Sequence, residues 1–303
     1  MNRPFVSALP LAQPSHWPAR RWIGLLICAA GALALLAELV SADFWSDPRL
    51  RGALMGGGIA GLATALGTLP VLLRQEFSQR ACSAMLGFGA GVMLAACSFS
   101  LILPAVEAAT GQGAGAWRAA GTVGAGILLG AMLLMAMDRW LPHEHFAKGR
   151  EGTPAQALRR VWLFVFAIAL HNVPEGLAIG VAFAGSNLVA AEALATGIAI
   201  QDVPEGLVVA LALRAAGYGR GTAVGLGVLT GLLEPIAALL GAGLIGLSAG
   251  LLPWGMAFAA GAMLYVISHE IIPESHRQGH ERVATTGLML GFVAMMVLDT
   301  AAR

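Results

Sequence analysis

The sequence predicts an all-α polytopic membrane protein, and three observations carry that reading. Of the 303 residues, 57% are apolar and only 12% are charged, against roughly 25% charged in an ordinary soluble domain. Nine apolar stretches recur along the chain, each near the roughly twenty residues that cross a hydrocarbon core of about 30 Å. None alternates as a strand would, so helices are the state in which such runs satisfy their own backbone inside lipid. A net charge of +1 leaves no basic face for nucleic acid. Cys28, Cys82 and Cys97 all lie within apolar stretches, which argues against a disulfide framework or a Cys-x-x-Cys metal site.

Taken from the N-terminus, residues 1–21 include Pro4, Pro10, Pro14 and Pro18 and read as a cytoplasmic tail. Segment one, 22–42, lies between Arg20-Arg21 and Val40-Ser41-Ala42. That arrangement also resembles a secretory signal with its cleavage site, while the length of the run favours a retained transmembrane helix. Segments two, three and four, at 52–73, 81–105 and 119–137, precede the longest polar connection, 138–160. Segments five and six, at 161–184 and 188–213, carry acidic motifs; seven, at 221–247, carries Glu234-Pro235; eight and nine are 251–272 and 283–301. Gly87, Gly89 and Gly91 in segment three, with Gly221, Gly225, Gly227 and Gly231 in segment seven, let helix backbones approach closely.

Cytoplasmic loops hold an excess of Lys and Arg. With a cytoplasmic N-terminus, fourteen of the 18 basic residues fall inside, and Arg49, Arg51, Arg118 and Arg303 fall outside. The C-terminus is then external. Trp22, Trp45, Trp117, Trp140, Trp162 and Trp254 lie near segment ends, where amphipathic rings prefer the membrane interface.

Ionisable residues inside a membrane are costly and mark function by default. Segment five reads His171-Asn172-Val173-Pro174-Glu175-Gly176 and segment six reads Gln201-Asp202-Val203-Pro204-Glu205-Gly206. Spacings of three and four put His171, Asn172 and Glu175 on one helix face, and likewise Gln201, Asp202 and Glu205. His171 lies about 15 Å from the inside end of its segment, near mid-bilayer, with Asp202 at comparable depth from the other direction. Pro174 and Pro204 remove donors for the carbonyls of Leu170 and Ile200, so both helices are expected to kink beside the acids. A lone buried His or Pro-Glu pair is more often a packing device, but five ionisable groups at one depth on three helices point to a shared site. Four acids in a low-dielectric pocket cannot all stay ionised unless something neutralises them, as a divalent cation does, and His nitrogen with carboxylate and amide oxygens suits zinc and similar divalent metals. Two metals sharing carboxylates, or one metal with protons, both fit this donor set.

Further polar residues mark routes. His269 and Glu270, near the inside end of segment eight, are suited to receive a departing metal. The following Pro273 occupies the position where a zincin has its second His, so the His-Glu-x-x-His protease reading fails. Ser100, Pro104 and Glu107 echo the spacing of His269, Pro273 and His276, as paired helices of an inverted repeat would. Asp138, His143, Glu144 and His145 either meet metal on the inside or belong to a solvated loop. Asp299 and Ser100 are candidates for an outside entrance, with interfacial helix capping the other reading of Asp299. Met93, in mid-segment, reads first as packing.

The paired motifs, with Glu234-Pro235 and His269-Glu270, resemble the signature of the ZIP (Zrt-, Irt-like protein) metal transporters over segments two to nine. The resemblance implies an eight-helix bundle with inverted pseudo-symmetry over 52–303, segment one being an addition. It implies import of Zn(II), with Cd(II) as a further substrate, across the bacterial inner membrane by a homodimer through elevator-type alternating access. One metal site would comprise His171, Glu175, Gln201, Glu205 and Glu234 with Met93, and a second Asn172, Asp202 and the same three glutamates. Ser100 and Asp299 would line the entrance, and Asp138, His143, His145, His269 and Glu270 the cytoplasmic exit. Many relatives have His in place of Gln201, a poorer zinc ligand. An intramembrane metal-dependent hydrolase and a metal sensor are the alternative functions for the same cluster.

Overall fold

The structure, a computed structural model, describes residues 45–73, 77–140, 171–215, 217–277 and 279–302. The chain divides after Asp47, and the helices that follow form the unit Pro48–Arg303. Among the described residues eight helices occur and no strand. They are α1 (Pro48–Leu72), α2 (Gln79–Gly111), α3 (Ala116–Trp140), α4 (171–184), α5 (Leu188–Ala215), α6 (Arg220–Leu247), α7 (Ala249–His276) and α8 (Glu281–Ala301). All but α4, whose described part is short, are long and apolar enough to span a membrane. Segment one, 22–42, and the first half of segment five lie outside the described residues, as do the cytoplasmic-tail assignment of 1–21 and most of the 138–160 connection.

Helix ends follow the local chemistry. Pro48 opens α1 at a position whose N–H would have no helical partner. Ser78 caps α2 by accepting from the Ala81 N–H at 3.1 Å. At the other end, Gly113 at φ +87° reverses the chain, with Gly113 N–H donating to Thr110 O and Ala114 N–H to Ala109 O. The same double bond pattern recurs around Gly217, at φ +96°, after α5. Short connections of this kind make successive helices antiparallel.

The helices associate in two sets. In one, α1 packs along α5 and both halves of α6, and α4 lies on α1 and α6. In the other, α2 packs against α8, α3 against α7, and α7 against α2. The closest backbone approaches fall within each set: Gly206 against Thr64 O, Gly61 against Gly231 O and Gly180 against Ala238 O in the first, Gly91 against Leu288 O, Gly291 against Phe88 O and Gly261 against Ile127 O in the second. Between the sets, glycines face side chains instead, as Gly197 faces Met295 and Gly255 faces Ile245 and Val181. Backbone-to-backbone contact gives extensive van der Waals surface where lipid supplies no hydrophobic drive.

Three departures from regular α-helix were not expected in place. Ala96–Ile102 in α2 and Ile267–Ile271 in α7 are π-helical, each directly preceding Leu103-Pro104 or Ile272-Pro273. A proline cannot donate to the carbonyl four residues back and its ring crowds it, and the wider π turn accommodates both. The expected echo between these two strings therefore has a structural counterpart on helices of opposite direction. The third departure is a break at Leu232, which divides α6 into Arg220–Gly231 and Leu233–Leu247. Pro204, where a kink was expected, lies inside α5, which continues as one helix from Leu188 to Ala215. On either side of the proline α1 and α5 touch closely, Gly67 of α1 against Val203 O and Gly206 of α5 against Thr64 O.

A Cβ on Gly91 meets the backbone of α8, whereas one on Gly243 meets nothing within 4 Å. Gly91→Ala should destabilise the protein by about 1–3 kcal/mol through overpacking, and Gly243→Ala should be neutral or slightly stabilising. Thermal unfolding of the two purified variants in one detergent checks the contrast.

Candidate metal centre

Seven of the polar residues singled out in the sequence converge where α4, α5 and α6 meet. Helical spacing does the first part of the assembly. His171, Asn172 and Glu175 occupy one face of α4, with exposures of 5%, 1% and 0%, and Gln201 and Asp202, at 2% and 1%, lie half-way along α5 with Glu205 on the next turn. The break at Leu232 does the rest. It places the fully buried Glu234 in the first turn of a new helix, where the amide end of the helix dipole favours negative charge. Pro235 follows it in that turn, the position in a helix at which a missing N–H matters least.

The three helices bring their side chains into contact. Ligand atoms of Glu175, Asp202 and Glu205 lie within 4.8 Å of one another. Gln201 Nε2 donates to Glu175 Oε1 in a short hydrogen bond. Asn172 Nδ2 donates to Glu234 Oε1 at 3.3 Å, and His171 Nδ1 lies 3.9 Å from Glu205 Oε1. These bonds leave Glu175 Oε2, Gln201 Oε1, Asp202 Oδ2, Glu205 Oε1 and Glu234 Oε2 buried with no hydrogen-bond donor among the described residues. Buried acceptors without donors are rare in native proteins because each forfeits its hydration. Five of them in one cluster form a donor set for a cation, and hard oxygens joined by one imidazole match zinc and neighbouring divalent metals.

His171 also reaches across the two helix sets. Its Nε2 lies 2.9 Å from Glu270 Oε2, at the end of the π-helical turn in α7. Glu270 thereby adjoins the cluster, while the neighbouring His269 is exposed and stacks on Tyr265 with ring centroids 5.1 Å apart. Met93 is buried on α2 one turn beyond Gly89, where a Cβ would lie 3.7 Å from Gln201 Cβ, so the thioether lies on the α2 face turned toward α5.

Ser100 and Asp299 form a separate pair. The Ser100 hydroxyl donates to Asp299 Oδ1 at 2.7 Å, linking the π-helical turn of α2 to the last turn of α8, and both residues are buried. They border a cavity of ≈ 380 Å³ that also touches Glu107, Asn187 and Met256. A buried, bonded Asp299 is not an interfacial helix cap. Asp138 falls in the last turn of α3, with its side chain outside the described residues; His143 and His145 lie outside them altogether.

One contact to the cluster had no signal in the sequence. Thr64 of α1, 1% exposed, donates from Oγ1 to Glu234 Oε1 at 2.7 Å. A threonine in an apolar helix is ordinary, and only the packing of α1 on α6 distinguishes this one.

Comparison with known proteins agrees with this geometry. Residues 141–299 match the profile of the family described as ZIP Zinc transporter, a span that holds all seven cluster residues and Glu270. The chain is 52% identical over 250 residues to zinc transporter GufA of Myxococcus xanthus, covering 82% of this chain and 98% of the relative. It is 48% identical over 307 residues to zinc transporter ZIPB of Bordetella bronchiseptica, covering 99% of each. Human zinc transporter ZIP11 is 34% identical over 328 aligned positions, covering 82% of this chain and 96% of the human protein. Identity of this extent, on the helices that build the buried carboxylate cluster, makes the chain a member of the ZIP family of metal transporters.

Proposed function

We propose that the protein imports Zn(II), with Cd(II) as a second substrate, through two adjacent metal sites bridged by Glu175, Glu205 and Glu234. Membership of the ZIP family makes it a membrane transporter and not the intramembrane hydrolase that was the main alternative. The observation that carries the site is the set of five buried acceptor oxygens without donors on α4, α5 and α6. In this reading His171 and Gln201, with Met93, complete the first site, and Asn172 and Asp202 complete the second. Zinc accepts such mixed nitrogen and oxygen sets, and soft sulfur at Met93 extends the preference toward Cd(II).

Ser100 and Asp299 would admit the ion from the outer cavity, and Glu270, His269, Asp138, His143 and His145 would receive it on the cytoplasmic side. The homodimer, the inner-membrane location, the orientation of both termini and the domain limits at 22–42 and 52–303 belong to the same proposal. Its mechanism is a rigid-body shift of α1, α4, α5 and α6 against α2, α3, α7 and α8. Support comes from the packing, which joins helices backbone to backbone within each set and through side chains between them. A cation taken by His171 Nε2 also competes with Glu270 for that nitrogen, which would loosen the link between α4 and α7 as the site fills.

Two measurements check these statements. Glu205→Gln removes one bridging charge without changing shape; Zn(II) and Cd(II) flux into proteoliposomes should fall to background while the protein inserts and unfolds as the wild type does. Persistent flux in that variant would remove the proposed site. The rigid-body mechanism is read from disulfides in a background lacking Cys28, Cys82 and Cys97. Gly227→Cys with Thr68→Cys joins α6 to α1, where the Cβ atoms lie 3.7 Å apart, within the range of about 3.5–4.5 Å that disulfides need. Gly255→Cys with Val181→Cys joins α7 to α4 across the sets. Oxidation should stop flux reversibly in the second pair and spare it in the first; arrest in both, or in neither, contradicts two rigid sets.

A further inference from the structure

We infer that Thr64 is a positioning residue of the metal centre, its hydroxyl holding the Glu234 carboxylate in the one orientation that turns Oε2 into the cluster. The inference rests on the reading of Glu234 as a metal ligand. Three observations support it. First, the hydroxyl departs from what helical threonines do by default. Thr68, Thr196, Thr230, Thr286 and Thr300 each donate to a carbonyl of their own helix at 2.7–2.8 Å, the usual local solution. Thr64 is 3.4 Å from its own Ala60 O and 2.7 Å from Glu234 Oε1. With one proton to give, the shorter and charge-assisted bond prevails.

Second, the seat of Thr64 is built by the helices that carry the acids. A Cβ on Gly206, next to Glu205, would strike Thr64 O, and one on Gly231, one turn before Glu234, would come within 3.0 Å of Thr64 Cβ. Both neighbours are glycine, and α1 presses this threonine into the junction of α5 and α6. Third, Oε1 of Glu234 receives both Thr64 and Asn172, whereas Oε2 is buried with no donor. Two donors on one oxygen fix the plane of the carboxylate and leave the other oxygen directed at the cation. Side chains supporting a ligand commonly change metal affinity by roughly 10–100-fold when removed.

The test separates the hydroxyl from the space it fills. Thr64→Val keeps the shape and removes the donor, while Thr64→Ser keeps the donor and removes the methyl group. Zn(II) concentration dependence of flux in proteoliposomes should show the half-saturating concentration rising roughly tenfold or more in Thr64→Val, with Thr64→Ser within about twofold of wild type. Thermal unfolding of metal-free protein provides the control, because a purely structural role would move both variants' stability and neither one's affinity. Wild-type affinity in Thr64→Val, or equal loss in both variants, overturns the inference. If Thr64→Val fails to insert, Thr64→Cys, a weaker donor of similar size, should give an intermediate shift, and wild-type affinity there is equally fatal. Glu205→Gln run alongside distinguishes the two levels: flux surviving in that variant refutes the site, whereas its loss with unaltered Thr64→Val refutes Thr64 alone.

Discussion

The constraint on which the rest of this structure depends is the burial of four carboxylates between helices inside an apolar protein. Glu175, Asp202 and Glu234 are at most 1% exposed and Glu205 is nearly enclosed. An ionised carboxylate removed from water costs several kcal/mol even after relaxation, by general experience of about that order. Such groups are tolerated only where fixed donors and a cation can answer them. Gln201, Asn172, Thr64 and the N-terminal turn at Leu233 supply part of that answer from the protein, and the oxygens left over define what a cation must satisfy.

This constraint explains why the surrounding helices are so tightly joined. Carboxylates proposed to share a cation would have to keep their separation as it binds and leaves, which calls for helices that behave as one body. Thr64 and Gly206 join α1 to α5, Gly61 and Gly231 join α1 to α6, and Gly176 brings α4 against the carbonyl of Glu234 itself. On the opposite set, the prolines following the π-helical turns free the carbonyls of Ser100 and His269 from their helical donors. One of those turns carries Ser100 beside the cavity at Asp299, and the other carries Glu270 in contact with His171. Irregular backbone in a membrane protein is sustainable where it faces a polar route and not lipid.

Much of the centre was legible in the sequence because its information is local. A spacing of three or four residues determines a helix face, and the repeated x-x-Val-Pro-Glu-Gly string placed two such faces at one depth. Glu234 was legible from depth alone. Helix limits were less so: hydropathy ended segment three at 105, but α2 runs to Gly111, since its last turns are helical without being uniformly apolar. The break at Leu232 had no local signal beyond Pro235, whereas Pro204 sits inside an α5 that continues past it. Thr64 was illegible for a deeper reason. Its role depends on which helix α1 meets, and contacts 170 residues apart leave no trace in a periodicity.

Charge balance bears on how many ions such a centre holds. Four ionised carboxylates carry four negative charges, His171 is already engaged with Glu270, and the amides of Gln201 and Asn172 are neutral. A single divalent cation would leave two negative charges to be met by protons, in surroundings where each uncompensated charge is expensive. Two divalent cations sharing the bridging carboxylates leave none, and an oxygen that bridges two ions serves both without adding charge. Gln201 does not alter this balance, since its amide is neutral and donates to Glu175. In the proposed first site an amide would hold the ion less tightly than an imidazole while keeping the acid beside it in place. In the proposed mechanism a pair of divalent ions, or one such ion with two protons, would be the cargo that this charge balance allows.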